Sequence, residues 1–214
     1  MEIKDLLKLL SNSVIDGNKD SAVDLTNKLL ELQYSAKGIL DDGLLPGMDV
    51  VGQRFRDNII FVPQVLISAR AMKSSLAILE PLLSEAKYKG LGTIVIGTVK
   101  GDIHDIGKNI VAMMLRSNGF TVIDLGINTP VEKFMDAVKK ENALIVGMSA
   151  LLTTTMGYMK IVIEKIRQEN LPVKVIIGGA PISKPFADQI GADGYAKNAS
   201  EAVAVARELI GITA

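Results

Sequence analysis

The chain has 214 residues, 48% of them hydrophobic and 22% charged, with a formal net charge of zero. That balance allows a sizeable buried core in one or two domains and gives no electrostatic footprint for nucleic acid or an anionic membrane. Cysteine is absent, which removes disulfides, thiolate zinc sites and iron–sulfur ligation together.

Reading from the start, the first residues, MEIKDLLKLL, carry acidic side chains where a secretory leader is basic. No apolar run approaches the length of a membrane span, so a cytoplasmic protein is expected. Residues 1–88 read as helical throughout. Leu6, Leu7, Leu9 and Leu10 form one apolar stripe, and Ser21 to Leu32 another after a break at Asp16-Gly17. A third runs from Ile39 to Phe55 with Pro46 early in it, and Phe61 to Leu83 is the longest. Four amphipathic segments with short connections predict an up-down four-helix bundle.

A segment mixing charge and glycine, Ala86 to Gly92, follows, and a domain boundary is expected near Tyr88. It divides the chain into residues 1–88 and 89–214. From Gly92 strands and helices alternate. LGTIVIGTV reads as a buried parallel strand, and Ile106 to Leu115 as a helix. Further strands are predicted at Phe120–Leu125, Ala143–Met148, Val173–Ile177 and Gly194–Ala196. Helices are predicted at Pro130–Lys140 with Thr129 as its cap, at Met156–Gln168 and at Ala199–Ile210. Regular alternation means a parallel sheet with right-handed crossovers. Five strands in about 120 residues fit a flavodoxin-like, doubly wound fold.

The chemistry concentrates in TVKGDIHDIGKNI, residues 98–110, which holds the single histidine, His104. It leaves the C-terminal end of a strand, where open α/β sheets bind ligands. Asp102, two residues earlier, is placed to hold the Nδ1–H, fix the tautomer and turn Nε2 outward as a more basic ligand. Gly101 and Gly107 flank the pair and let backbone approach a flat ligand closely. A lone Asp-x-His is more often an ordinary surface loop; the strand before it and the glycine after it favour a site.

Two other loops open on the same sheet edge. One carries Ser149, Thr153, Thr154 and Thr155 at a helix start, and the other carries Gly178-Gly179 after a strand. Singly, these are caps and a turn. Together they make a groove lined by hydroxyls and glycine. A nucleotide phosphate loop is disfavoured, because Asn109 follows Gly107-Lys108 where Ser or Thr is required, and no G-x-G-x-x-G is present.

VKGDIHDIGKNIV resembles the D-x-H-x-x-G signature of cobalamin-binding domains, in the version found in methionine synthase and corrinoid methyl-carrier proteins. The similarity covers nearly the whole chain. It implies that His104 is the lower axial ligand of cobalt, replacing the cofactor's own benzimidazole, with Asp102 as its hydrogen-bond partner and Gly101, Ile103 and Gly107 against the corrinoid. The family's S-x-L…T pattern matches Ser149, Leu151 and Thr153, and its double glycine matches Gly178 and Gly179, followed by Ala180. These imply the path of the displaced nucleotide tail. The family's N-A-S turn matches Asn198, Ala199 and Ser200. Thr155 stands where methionine synthase has a serine that bonds the aspartate; the hydroxyl is kept, but the β-branch restricts χ1. In the helical part the resemblance implies a cap over the upper corrin face, with Phe61 as its contact and Met48 and Val65 as weaker ones.

The implied activity is that of a carrier. A methyl group passes to cobalt from a substrate:corrinoid methyltransferase and on to a second methyltransferase acting on coenzyme M or tetrahydrofolate, with a reductive activator as a third partner. A chain of this length lacks room for catalytic methyltransferase domains, so it is expected not to turn over alone. Serving two partners requires the cap to move, with its hinge near Tyr88. The alternatives are a cobalamin-binding subunit of a radical isomerase, whose related domain lacks a helical cap, and a cobalamin-dependent regulatory sensor. A light sensor uses a second histidine, and this chain has one.

Overall fold

The computed structural model describes residues 2–85 and 90–212. It divides into two compact units, Met1–Gly90 with Ser117–Gly119, and Leu91–Arg116 with Phe120–Ala214. Tyr88, where the boundary and hinge are expected, lies outside the described residues.

The first unit is helical. It contains α1 (Ile3–Ile15), α2 (Lys19–Glu31), a continuous helical stretch made of α3 (Ala36–Gly38), a π-helical segment (Ile39–Leu44) and α4 (Leu45–Arg56), and finally α5 (Val62–Glu85). Asn18 caps α2 by accepting from Ser21 N–H, and Ser35 caps α3 by accepting from Gly38 N–H. Leu6, Leu10, Val14, Leu29, Leu44, Met72 and Leu79 are buried, giving the bundle a continuous apolar interior. Leu9 departs from the predicted stripe and is 42% exposed. At 100° per residue it points well away from the arc shared by Leu6, Leu7, Leu10 and Val14. The π-helical segment also departs from the regular helix predicted over 39–55. Pro46 follows it after one residue; a proline ring presses on the carbonyl four residues earlier, and widening the preceding turn relieves that clash. No helix among the described residues is long and apolar enough to cross a membrane.

The second unit is an α/β layer structure. Its strands are β1 (Thr93–Thr98), β2 (Thr121–Asp124), β3 (Ile145–Ser149), β4 (Lys174–Gly178) and β5 (Gly194–Tyr195). All pairings are parallel, in the order β2-β1-β3-β4-β5. That is the flavodoxin-like order, with its topological switch between β1 and β3. The helices are α6 (Ile106–Ser117), α7 (Val131–Glu141), α8 (Thr153–Met156), α9 (Tyr158–Gln168), α10 (Lys184–Ile190) and α11 (Ala199–Leu209). Val95, Val146, Val175 and Ile177 of the sheet are buried against Phe134, Met159, Val162 and Ile166 of the helices.

Three local features differ from the sequence reading. Thr129 is not the cap of α7. It is fully buried and donates its N–H to Thr98 O, extending the sheet edge, while the cap position falls to Pro130. A proline has no hydroxyl to offer, and the first free amide of α7, Val131 N–H, donates instead to Tyr158 Oη at 3.0 Å. The helix predicted over 156–168 is α9, which starts at Tyr158, and an unpredicted short helix, α8, precedes it across Gly157. Helix α10 is additional; its signals are a Ser183 cap, a proline in the first turn and Gly191 in a left-handed conformation at the end.

Candidate cofactor site

The register of the sheet aligns Thr98 with Ser149 and Ser149 with Gly178, so β1, β3 and β4 end in one row. These strand ends and the segments that follow them carry the candidate residues of the α/β unit apart from Ala199, which follows β5. After β1 the chain turns tightly. Asp102 N–H donates to Val99 O at 3.1 Å, and Gly101 takes a φ of +84°, which is strained for any residue with a Cβ.

That turn sends Asp102 inward, where it is fully buried. Its Oδ1 accepts from His104 N–H at 3.1 Å and lies 2.7 Å from His104 Nδ1. Its Oδ2 accepts from Leu151 N–H at 2.8 Å, Leu152 N–H at 3.3 Å and Thr155 Oγ1 at 2.7 Å. Burial alone pushes the Asp102 carboxyl up. The hydrogen bonds from Leu151, Thr155 and His104 outweigh it and hold the group well below the usual carboxylate range. Asp102 is therefore an anion. Beside it, Nδ1 of His104 carries a proton and donates it, leaving Nε2 as the nitrogen available to a ligand. The His104 side chain is 46% exposed.

Exposed aliphatic residues stand beside the Asp102–His104 pair in the chain and beside the amides that bond Asp102. Ile103 and Ile106 are 69% and 78% exposed, and Leu151 and Leu152 are also exposed. Large aliphatic side chains left in water on the segments that hold a half-exposed histidine suit a broad, flat, largely apolar ligand. Gly107, in the first turn of α6, has open space where a Cβ would sit.

The remaining candidates fall into two groups. Thr155 reaches the Asp102–His104 pair directly, and Leu151 does so through its main chain. Ser149 ends β3, Thr153 opens α8 and is exposed, Ala180 is exposed beyond β4, and Ala199 is buried at the start of α11. Gly178 and Gly179 meet a demand of the fold itself. A Cβ on Gly178 would lie 2.7 Å from Ala196 O, and one on Gly179, whose φ is +132°, 1.9 Å from Ala150 O. In the helical unit Phe61 is 61% exposed just before α5, and its N–H donates to Gln64 Oε1 at 3.1 Å. Met48 and Val65 are fully buried and serve as core of the bundle.

One ionic arrangement escaped the sequence reading. Lys108, on α6, is buried at 3% exposure and donates to both carboxylate oxygens of Asp124, at 2.7 Å and 2.5 Å, and to Asn109 Oδ1 at 2.7 Å. Burial raises the Asp124 carboxyl, but Lys108 and Gly126 N–H draw it below its ordinary value. The pair ties the start of α6 to the end of β2. Its only sequence signal is a lysine immediately after Gly107.

A B12 binding domain profile matches residues 92–204, and a second B12 binding domain profile matches residues 6–80. The chain belongs to the B12-binding corrinoid proteins. It is 44% identical over 210 residues to dimethylamine corrinoid protein 2 of Methanosarcina mazei, covering 97% of this chain and 98% of that one. Identity to the dimethylamine corrinoid protein of Methanosarcina barkeri is 45% over 214 residues, covering 98% of this chain and 100% of that one. Among solved structures it superposes on a chain of the methanol:cobalamin methyltransferase complex of Methanosarcina barkeri with a TM-score of 0.85 and 33% identity, covering 98% of this chain and 81% of that one. The residues present fit a corrinoid: a half-exposed imidazole whose Nδ1 is held by a buried anion, with exposed aliphatic residues Ile103, Ile106, Leu151 and Leu152 on the segments that form the pair.

Proposed function

We infer that this corrinoid protein carries a methyl group within a methyltransferase system, with His104 as the lower axial ligand in place of the cofactor's own base. The observation that carries the reading is the Asp102–His104 pair, a half-exposed imidazole held through Nδ1 at 2.7 Å by a fully buried carboxylate. When bound, the corrinoid supplies a cobalt centre that accepts and releases the methyl group.

The protein's own contribution is binding and orientation. Asp102 fixes the tautomer of His104, raises the basicity of Nε2 and stops the ring from turning. Thr155 and the amides of Leu151 and Leu152 fix Asp102 in turn. Ile103, Ile106, Leu151 and Leu152 offer an apolar seat that keeps water from the lower face. Gly101 and Gly107 keep side chains out of the approach, while Ser149, Thr153, Gly178, Gly179, Ala180 and Ala199 border the course of the nucleotide tail.

The partners are a substrate:corrinoid methyltransferase and a second methyltransferase acting on coenzyme M or tetrahydrofolate, served by a reductive activator. The full-length similarity to two dimethylamine corrinoid proteins favours a methylated amine as the original methyl source. The test begins with an absorbance titration of purified protein with cobalamin. Uptake close to one equivalent is expected, and no stoichiometric uptake under either reducing or oxidising conditions would sink the reading. Incubating the loaded, reduced protein with methylamine-specific and methanol-specific methyltransferases then identifies the donor partner. Methylation of the bound corrinoid by the methanol enzyme alone would replace the amine assignment.

A further inference from the structure

The geometry points to Thr98 and Asn128 as positioning residues that hold His104 by its main chain, independently of the Asp102 contact to its ring. This rests on the reading of His104 as the cobalt ligand.

Thr98 is the last residue of β1 and is fully buried. Its Oγ1 donates to the carbonyl oxygen of His104 at 2.9 Å, across the turn that contains Asp102. The β2–α7 connection also fixes Thr98 itself: its N–H donates to Gly126 O, and its carbonyl accepts from Thr129 N–H. The hydroxyl therefore transmits the rigidity of the sheet to the histidine's own peptide.

Asn128 holds the other end of the loop. It lies in the β2–α7 connection with a φ of +49°. Its Oδ1 accepts from Gly101 N–H at 2.8 Å, and its N–H donates to Asp102 O at 2.9 Å. The left-handed conformation, which Asn tolerates better than most residues, lets one residue present both groups to the same turn.

These contacts answer a requirement the Asp102 bond leaves open. A carboxylate on Nδ1 sets the ring's rotation, but the distance from Nε2 to a metal depends equally on where the Cα sits. Losses of a few tenths of an ångström in a ligand's position weaken a bond of about 2 Å, the usual length for imidazole nitrogen on a metal. With its carbonyl tied to β1 and the preceding turn tied to the β2–α7 loop, the histidine backbone has little freedom to retreat.

The test uses Thr98→Val, an isostere lacking the hydroxyl, and Thr98→Ser, which retains it. Asn128→Gly keeps the backbone conformation and the N–H while deleting the side-chain acceptor. Each full-length protein is loaded with cobalamin and reduced to cobalt(II), and the ratio of histidine-bound to histidine-free cobalt is read from paramagnetic resonance. Thermal unfolding of the cofactor-free proteins is measured alongside. Thr98→Val should lower the ratio about 10-fold, the lower end of the range for residues supporting a metal ligand. Thr98→Ser should restore it, and Asn128→Gly should lower it without Thr98 being touched. A ligand-binding ratio equal to wild type in both Thr98→Val and Asn128→Gly overturns the proposal, even if either variant unfolds at lower temperature. Should Thr98→Val not fold, a wild-type ratio in Asn128→Gly alone overturns it. A wild-type protein with no histidine-bound cobalt defeats the assignment of His104 and this inference with it.

Discussion

Thr155 Oγ1 donates to Asp102 Oδ2 at 2.7 Å, joining two residues 53 positions apart in the chain. The same hydroxyl lies 3.0 Å from Leu152 O. A side chain in the third position of a four-residue helix thus completes the hydrogen bonding of a carboxylate from a different loop. The β-branch of threonine is compatible with this geometry, because the hydroxyl and not the methyl faces the carboxylate.

Removing that hydroxyl leaves a buried anion short of one donor. Thr155→Val should therefore destabilise the cofactor-free protein by about 1–3 kcal/mol, whereas Thr155→Ser should retain most of the stability. Urea denaturation of the three proteins checks this. A loss in the serine variant with none in the valine variant would mean that the methyl packing of Thr155, and not its hydroxyl, matters.

Asp102 makes stability depend on pH in a definite direction. Its folded-state pKa lies below the ordinary aspartate value of 3.8, because hydrogen bonds outweigh the opposing effect of burial. As the solution is acidified, the unfolded chain takes up this proton before the folded one does. The stabilisation is complete above the unfolded value and is lost progressively as pH falls beneath it. Between about pH 6 and about pH 3 the urea midpoint of wild type should fall further than that of Asp102→Asn, which has no carboxyl to titrate there. Parallel declines would contradict the assignment.

Two glycines should respond oppositely to alanine. At Gly179 a Cβ would lie 1.9 Å from Ala150 O on a backbone with φ of +132°. Strain and overpacking each cost about 1–3 kcal/mol, so Gly179→Ala should unfold at markedly lower denaturant. At Gly107 nothing lies within 4 Å of the added atom, and the position is helical. Gly107→Ala should raise the stability of the cofactor-free protein by up to about 1 kcal/mol while weakening cobalamin uptake. An alanine variant that is more stable and binds cobalamin as wild type does would remove Gly107 from the cofactor surface.

The parts of this site that are local in sequence were legible, and those that depend on strand register were not. Asp102 and His104 are two residues apart on a loop that follows a run of β-branched residues, so their chemistry and their place at a strand end follow from spacing. The five strands emerged because each is bounded by glycine or polar residues and followed by a helical period. By contrast, the amides of Leu151 and Leu152 reach Asp102 only because β3 lies beside β1. Thr98 and Asn128 gain their roles from the same packing, and neither residue type advertises it. Lys108 carries no signal that it folds inward to Asp124, since a lysine in a helix is ordinarily solvated. The missed cap at Thr129 has a similar cause: a threonine before a helix reads as a cap, but a following proline left it to the sheet edge.

The most direct test of His104 as cobalt ligand is paramagnetic resonance of the cobalt(II) form, prepared with protein whose histidine carries a nitrogen isotope label. The labelled protein should show altered superhyperfine coupling from a nitrogen belonging to its one histidine, and His104→Gly should lose that coupling while free imidazole restores it. Coupling that is indifferent to the label would place the cofactor's own base on the metal and contradict the account.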